Sequence, residues 1–345
     1  MKNWTTEKSF VYLGRKFHKS TFIKRWRGQA AVLCYHQILP NINDLPKNSP
    51  FVGHAISTNK FEEQIRFLSQ NYNVVSLDAV GEKVGIQRGE FVVAVTFDDG
   101  YKDNLTYALP ILEKYSVPAT IFITTMYPEG DTWIWWMELW QALEKRTSLK
   151  LESSEDQKEW KFSSDDDRKK CYSVLRSDIL KLDYSARLKF MEKLTGSKLR
   201  PQYSNNTLTW DEIKLLARHR LIDIGAHTHT HPNLAALSYD AAKEEILFSK
   251  LKLEQELDRP INHFAYPFGG KKEARLRERE IVRDIGFETA STSISGGLRW
   301  ENQWALPRFV MAEKHTANYL ELRLSGWELF CRASLNYIGG RHHQV

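Results

Sequence analysis

The sequence predicts an α/β fold in which parallel strands are joined by crossover helices, the sheet being either open or closed into a barrel. Three observations lead there. Short apolar runs such as Ala30-Ala31-Val32-Leu33-Cys34-Tyr35 and Phe91-Val92-Val93-Ala94-Val95 have the length and composition of buried strands. Helical periodicity fills the intervals between such runs, as in Phe61, Ile65 and Leu68. The chain has 345 residues, 42% hydrophobic and 27% charged, enough for one large α/β domain or two ordinary ones.

The elements follow in order. Ala30 to Tyr35 reads as a strand that delivers Tyr35 and His36 to its C-terminal end, and the prolines at 40, 46 and 50 make 40–56 a loop. A helix starts near the caps Ser57 and Thr58. Val74 to Leu77 reads as a short strand, and the run at 91–95 leads into Thr96-Phe97-Asp98-Asp99-Gly100. A helix over about Asp103 to Tyr115 carries Pro110 at an expected irregularity, and Val117 to Ile123 turns into another strand. From about 128 to 206 the rhythm breaks. Trp133, Trp135, Trp136 and Trp140 crowd together before a highly charged stretch, and helical spacing returns near Val174 to Leu180. This reads as a helical insertion; its tryptophans either line a sugar cleft or form a small core. The alternation resumes with a helix at Thr209 to His219, the run Leu221 to Ile224, a helix at Tyr239 to Leu257 and a strand at Ile261 to Tyr266. A helix at Arg275 to Ile285 stops at Gly286, Phe287 to Thr292 is the next strand, and Leu306 to Phe309 opens the last core segment. Leu320 to Ile338 is amphipathic.

The net charge of +6 is confined to the start of the chain. Residues 1–28 carry eight basic side chains against Glu7 alone, so the remainder is near neutral and nucleic-acid binding is disfavoured. Two readings fit this basic, aromatic segment: an interfacial helix resting on anionic lipid, or a helix packed on the domain. No apolar signal core or spanning stretch is read, and Cys34, Cys171 and Cys331 have no framework spacing. A cytoplasmic protein, peripheral at the inner membrane face, is the corresponding expectation.

The chemistry lies just after two apolar runs. Asp98 and Asp99 end one; His227, His229 and His231 follow the other. One Asp with two His is a ligand set for a divalent transition metal, and a second Asp left free can move protons. His227 and His231 lie four apart, so a short helical turn would put them together and point His229 elsewhere. The adjacent aspartates divide labour because neighbours on an extended segment face opposite ways.

Thr96-Phe97-Asp98-Asp99-Gly100 and His227-Thr228-x-x-His231 resemble the first two signatures of the polysaccharide deacetylases, carbohydrate esterase family 4 or the NodB-homology group. The likeness runs from Cys34-Tyr35-His36-Gln37 to Leu306-Pro307-Arg308. It implies a distorted (β/α) barrel over residues 29–312, with the insertion at about 128–206, a basic segment at 1–28 and a C-terminal helical segment at 313–345. It further implies Asp98 as catalytic base, Asp99, His227 and His231 as metal ligands, and zinc, cobalt or nickel as the ion. Phe264-Ala265-Tyr266-Pro267-Phe268-Gly269 matches the third signature, a groove wall, and Asp284-x-Gly286-Phe287 the segment after it. Tyr266, Pro267, Phe268, Arg308 and Trp136 are accordingly expected to face substrate. Two features depart from the pattern. The arginine that orients the base in the third signature is absent, with Arg308 as a replacement from another strand, and Leu306-Pro307-Arg308 lacks the histidine that supplies the acid. His36, as in the branch with an early Tyr-His motif, is the expected acid, and His315, expected in an exposed segment, the second candidate. The implied activity is removal of N-acetyl groups from amino sugars of an envelope or exopolysaccharide glycan or its lipid-linked precursor. Deformylation or another amide hydrolysis on the same site, and a glycan-binding module that has lost turnover, are the alternatives.

Overall fold

The computed structural model describes residues 20–45, 49–50, 52–84, 91–130, 134–152, 157–196, 206–298 and 300–338. Seven strands form a ring: β1 (Ala30–Tyr35), β2 (Val92–Phe97), β3 (Ala119–Ile123), β4 (Ile222–Ala226), β5 (His263–Ala265), β6 (Thr289–Ser291) and β7 (Arg308–Val310). Each lies parallel to the next, and β7 returns to β1 with Val32 opposite Arg308. Leu306, just before β7, closes the circle against Ser291: its N–H donates to the Ala290 carbonyl at 2.7 Å, and the Thr292 N–H donates to the Leu306 carbonyl at 2.9 Å. The sheet is thus a seven-stranded distorted (β/α) barrel.

The pleat sorts side chains between two cores. Ala31, Leu33 and Tyr35 of β1 and Val93, Val95 and Phe97 of β2 face outward, into the layer shared with the helices. Ala30, Val32, Val92 and Ala94 face inward with Phe122 and Ala265. The inward set is small, and Gly225 shows why: a Cβ there would lie 2.5 Å from the Phe122 ring. The next inward positions up the barrel are Cys34 and Thr96, where the interior turns polar.

Outside the ring, α1 (Thr58–Asn71), capped by the Ser57 hydroxyl, α2 (Leu77–Val84) and α3 (Leu109–Tyr115) follow the first strands. The excursion between β3 and the later barrel contains α4 (Trp135–Glu144), α5 (Asp165–Ile179) and α6 (Tyr184–Thr195). The regular alternation resumes with α7 (Trp210–Ala217), α8 (Tyr239–Leu257) and α9 (Leu276–Ile285), and α10 (Ala317–Leu324) and α11 (Trp327–Ile338) end the described chain.

Several local expectations are corrected. The loop at 40–56 is flanked by a parallel pair, Gln37–Leu39 against Ala55–Ser57. The strand expected at Val74 to Leu77 is Asn73–Val74 alone, beside β2, and Leu77 already begins α2. The irregularity at Pro110 is a π-helical turn, Asn104–Ala108, that runs directly into α3 and places Pro110 near the start of α3. The insertion also holds an unforeseen hairpin, Ser148–Glu152 with Gln157–Lys161, and a core of its own around Trp135, Trp140, Leu143 and Leu175. The amphipathic stretch from Leu320 falls within two helices, α10 and α11. It breaks at Gly326 (φ +88), where a Cβ would meet the Arg27 backbone nitrogen at 2.5 Å. Most of the basic segment, residues 1–19, lies outside the described residues. Of its remainder, Ile23 packs on Leu322 and Trp327, while Phe22 and Trp26 are exposed. Among the described residues no helix is long and apolar enough to cross a membrane, and Cys34, Cys171 and Cys331 are free thiols.

Candidate metal centre and active site

The inward series Val92, Ala94, Thr96 continues to Asp98, which therefore stands at the C-terminal mouth of the barrel. Asp99 adopts φ +75, a conformation that aspartate tolerates better than most residues, and Gly100 follows at φ +70. This left-handed turn, more than the strand pleat, separates the two carboxylates. It sends Asp99 toward β4.

His227 directly follows β4, its N–H donating to the Ile123 carbonyl. The chain does not then make the expected helical turn. It bends, with Thr228 at φ 66 and His231 at φ 54, and brings His231 back to the same point. Three contacts impose that bend. The Thr228 hydroxyl accepts from the His231 N–H at 3.1 Å. Glu245 of α8 accepts from the N–H groups of His229 and Thr230 at 3.0 and 2.9 Å. Buried Arg187 of α6 donates to the carbonyls of His231 and Thr230 at 3.0 and 2.9 Å. His229 points away, its Nδ1 3.0 Å from the Thr125 hydroxyl and its ring on Phe248.

The Asp99 Oδ1 lies 3.4 Å from His227 Nε2 and 3.2 Å from His231 Nε2. All three side chains are buried, and one donor atom from each falls within 4.8 Å of the others. The Nδ1 of His227 is 2.7 Å from the Ala265 carbonyl, which requires a proton on that nitrogen and leaves the Nε2 lone pair facing Asp99. With protons on their Nε2 atoms, His227 and His231 outweigh the burial that would push the Asp99 carboxyl up and hold it well below the ordinary range; a bound ion would take the place of those protons. An anionic oxygen and two inward imidazole lone pairs fit a divalent metal. Two other groupings fit less well. Near the opposite barrel end, His263 already uses both ring nitrogens, on Thr289 and Asp78, and Asp223 pairs with Arg259 at 2.9 Å. Beside the main site, burial pushes the Cys34 thiol well up, which keeps its proton on, and Asp98 is already engaged.

Arg308 is what engages it. Its two terminal nitrogens donate to Asp98 Oδ1 and Oδ2 at 2.7 and 2.6 Å, and its Nε donates to the Thr292 carbonyl at 2.9 Å. Arg308 is fully buried inside the barrel and does not line the cavity, so the expectation that it touches substrate is corrected; it braces Asp98 from beneath. Burial alone would raise the Asp98 carboxyl, but Arg308 chiefly, with His227 and His36, holds it at about 2. His36 Nε2 stands 3.9 Å from Asp98 Oδ2 on the cavity side.

These groups open into a cavity of about 350 Å³, within the range of small-ligand sites. Phe268 and Trp136 line it, with ring centroids 4.8 and 5.0 Å from that of His231. Tyr266 and Pro267 do not. Tyr266 is 1% exposed, its hydroxyl spent on the Trp304 carbonyl, and Pro267 is buried in the turn. His315 is also displaced from its expected role and from its expected exposure. It is buried, its Nδ1 accepts from the Ala312 N–H at 3.1 Å, and its ring stacks on Tyr319. Of the tryptophans, Trp135 and Trp140 are core and Trp136 faces the cavity, while Trp133 lies outside the described residues. The sequence reading missed His54, whose ring meets that of His36 at 5.0 Å, and Tyr172 and Arg176 of α5, which line the far wall. The spacing of Tyr172 and Arg176, one helical turn apart, was their one visible signal.

Fold and site together define a (β/α) barrel with a His₂Asp centre and a braced carboxylate at the C-terminal ends of its strands, where such barrels carry their active sites. The polysaccharide deacetylase family profile matches residues 85–290, more than half of the chain, and the chain belongs to that family. Among solved structures it resembles the Streptococcus pyogenes deacetylase PplD in complex with acetate, at 17% identity and a TM-score of 0.57 over 86% of this chain and 97% of that one. IcaB from Ammonifex degensii matches at 18% identity and 0.55 over 86% and 97%. A de-N-acetylase from Aggregatibacter actinomycetemcomitans matches at 15% and 0.53 over 85% and 99%. At these identities the likeness establishes the fold. No curated protein sequence is significantly similar to this chain.

Proposed function

We propose that this protein is a metal-dependent N-deacetylase of amino sugars in an envelope or exopolysaccharide glycan or its lipid-linked precursor, releasing acetate and a free amine. The observation that carries the reading is the pairing of two unlike carboxylates. Asp99 converges with two imidazoles, while Asp98, beside it, is kept ionised by Arg308 and faces the same cavity.

Asp99, His227 and His231 would hold the ion, zinc or, with the same ligands, cobalt or nickel. When bound, it supplies Lewis acidity to an amide carbonyl and acidifies a water. Asp98 takes the proton of the attacking water, its far side fixed by Arg308 so that the carboxylate is both charged and aimed. His36, beside Asp98 on the cavity wall, gives a proton to the departing sugar nitrogen. Trp136 and Phe268 offer aromatic faces to the sugar ring. The deacetylase and de-N-acetylase names of the similar structures favour acetyl over formyl. The Arg308–Asp98 pair supports turnover over the glycan-binding alternative, since a base is present and braced despite the missing arginine of the third signature. A place at the inner membrane face, with residues 1–28 against anionic lipid, belongs to the same proposal.

Acetate and formate release from N-acetylated oligosaccharides, measured with and without chelator, tests it. Acetate release that chelator abolishes and zinc restores is expected, with Asp99→Ala inactive and unable to retain metal. Chelator-insensitive turnover, or full activity in Asp99→Ala, would overturn the proposal.

A further inference from the structure

The far wall of the cavity is built by the insertion, and its chemistry differs from that of the barrel mouth. Tyr172, Ser173 and Arg176 of α5 face the cavity from one helical stretch. The Arg176 guanidinium carbon stands 5.3 Å from the centroid of the Phe268 ring, and that ring stands 4.8 Å from His231. Arg176 is therefore one aromatic ring away from the reacting centre, about the reach of a sugar substituent.

Two observations mark this arginine as a recognition group. Among the described residues no carboxylate lies within ion-pair distance of it, whereas Arg168 on the same helix is paired with Asp165. The two acids lining the cavity are both committed, Asp98 to Arg308 and Asp99 to the imidazoles. Phe268, moreover, holds its position at φ +61, a left-handed conformation that a bulky side chain adopts only under constraint. The turn is fixed by Gly269, itself at φ +50, where a Cβ would meet the Ser293 backbone nitrogen at 2.7 Å. The strained turn thus supplies a rigid aromatic shelf under the guanidinium. An arginine stacked on such a shelf loses less freedom when it binds an oxyanion, and its planar fork suits a carboxylate or phosphate.

We propose that Arg176 binds an anionic group on the substrate, a phosphate or a carboxylate, so that this site selects an acidic N-acetyl amino sugar over a neutral one. The inference rests on the deacetylase reading for what happens at the amide, and on the wall for which sugar arrives there.

The test uses four matched ligands: methyl N-acetylglucosaminide, its 6-phosphate, its uronic acid, and N-acetylglucosamine 1-phosphate. Calorimetric binding to the full chain is compared with binding to Arg176→Gln, with acetate release as a second readout. At least one acidic ligand should bind tenfold or more tightly than the neutral one, the phosphate and uronate arms identifying which anion. Arg176→Gln should bring that gap within twofold by weakening the acidic ligand more than the neutral one, with the thermal midpoint unchanged. Equal affinities in the parent protein overturn the proposal. So does a gap that persists in Arg176→Gln, which would put the anion on the metal centre, or an equal loss for neutral and acidic ligands. A binding gap without acetate release from any ligand would sink the deacetylase reading and leave the anion site standing. Acetate release without a gap would do the reverse.

Discussion

Replacing Arg308 by methionine removes the counter-charge beneath Asp98 while keeping an apolar stem in the barrel. The carboxylate loses donors at 2.7 and 2.6 Å and the Thr292 carbonyl loses one at 2.9 Å, all fully buried. Breaking a buried pair from one side costs about 3–5 kcal/mol, because the remaining charge stays desolvated without compensation. Removing that charge as well, in Asp98→Asn/Arg308→Met, should recover about 2 kcal/mol or more of the loss. Urea unfolding of the four proteins of this cycle gives the coupling directly. Acetate release should fall by about 100-fold or more in Arg308→Met, the range in which a positioned general base contributes. A loss below about 1 kcal/mol in the single variant, or a double variant no more stable than Arg308→Met, would refute the bracing role.

Three further outcomes follow from the same geometry. Arg187→Met removes both donors behind the histidine bend and should weaken zinc affinity about 10- to 100-fold in competition with a chelating dye; unchanged affinity would mean that Glu245 and Thr228 suffice. His315 is pushed down to about 4 by burial, with Arg323 and Lys314 adding to it. The folded state therefore binds fewer protons than the unfolded one between pH 6.5 and 4, and stability declines as pH falls through that window, by roughly 1–2 kcal/mol after screening. His315→Asn keeps an acceptor for the Ala312 N–H and should flatten that decline in urea midpoints; an unaltered slope assigns it elsewhere. Gly225→Ala should cost about 1–3 kcal/mol by overpacking, part of it returned by Phe122→Leu, and a neutral Gly225→Ala would show that the interior yields.

What could be read from the residues was whatever one segment carries by itself. The apolar runs before Tyr35, Phe97 and His227 are visible as strands, and the polar residues after them fall at one end of the barrel because parallel strands share a direction. What depends on register was not visible. Arg308, which only the missing arginine of the third signature suggested as a replacement, points inward because it pairs with Val32 beside the polar layer of Cys34 and Thr96, and no periodicity in a three-residue strand reveals that. Tyr266 reads as a groove residue until its hydroxyl is traced to Trp304, and His315 reads as exposed because its partner is a backbone amide three residues away. The histidine bend replaced a helical turn through contacts from α6 and α8, both distant in sequence. Arg176 lacked any local mark beyond its spacing from Tyr172.

The excursion between β3 and α7 gives the molecule a division of roles with a built-in tether. The proposed catalytic groups sit on the barrel, and one wall of the cavity, Trp136, Tyr172, Ser173 and Arg176, is donated by the added helices, so evolution or an engineer can rewrite preference at that wall without rewriting chemistry. Yet Arg187 belongs to those same helices and grips the carbonyl behind His231. Swapping the whole excursion for another would therefore slacken the bend that carries His231, and changes of taste here have to be made residue by residue.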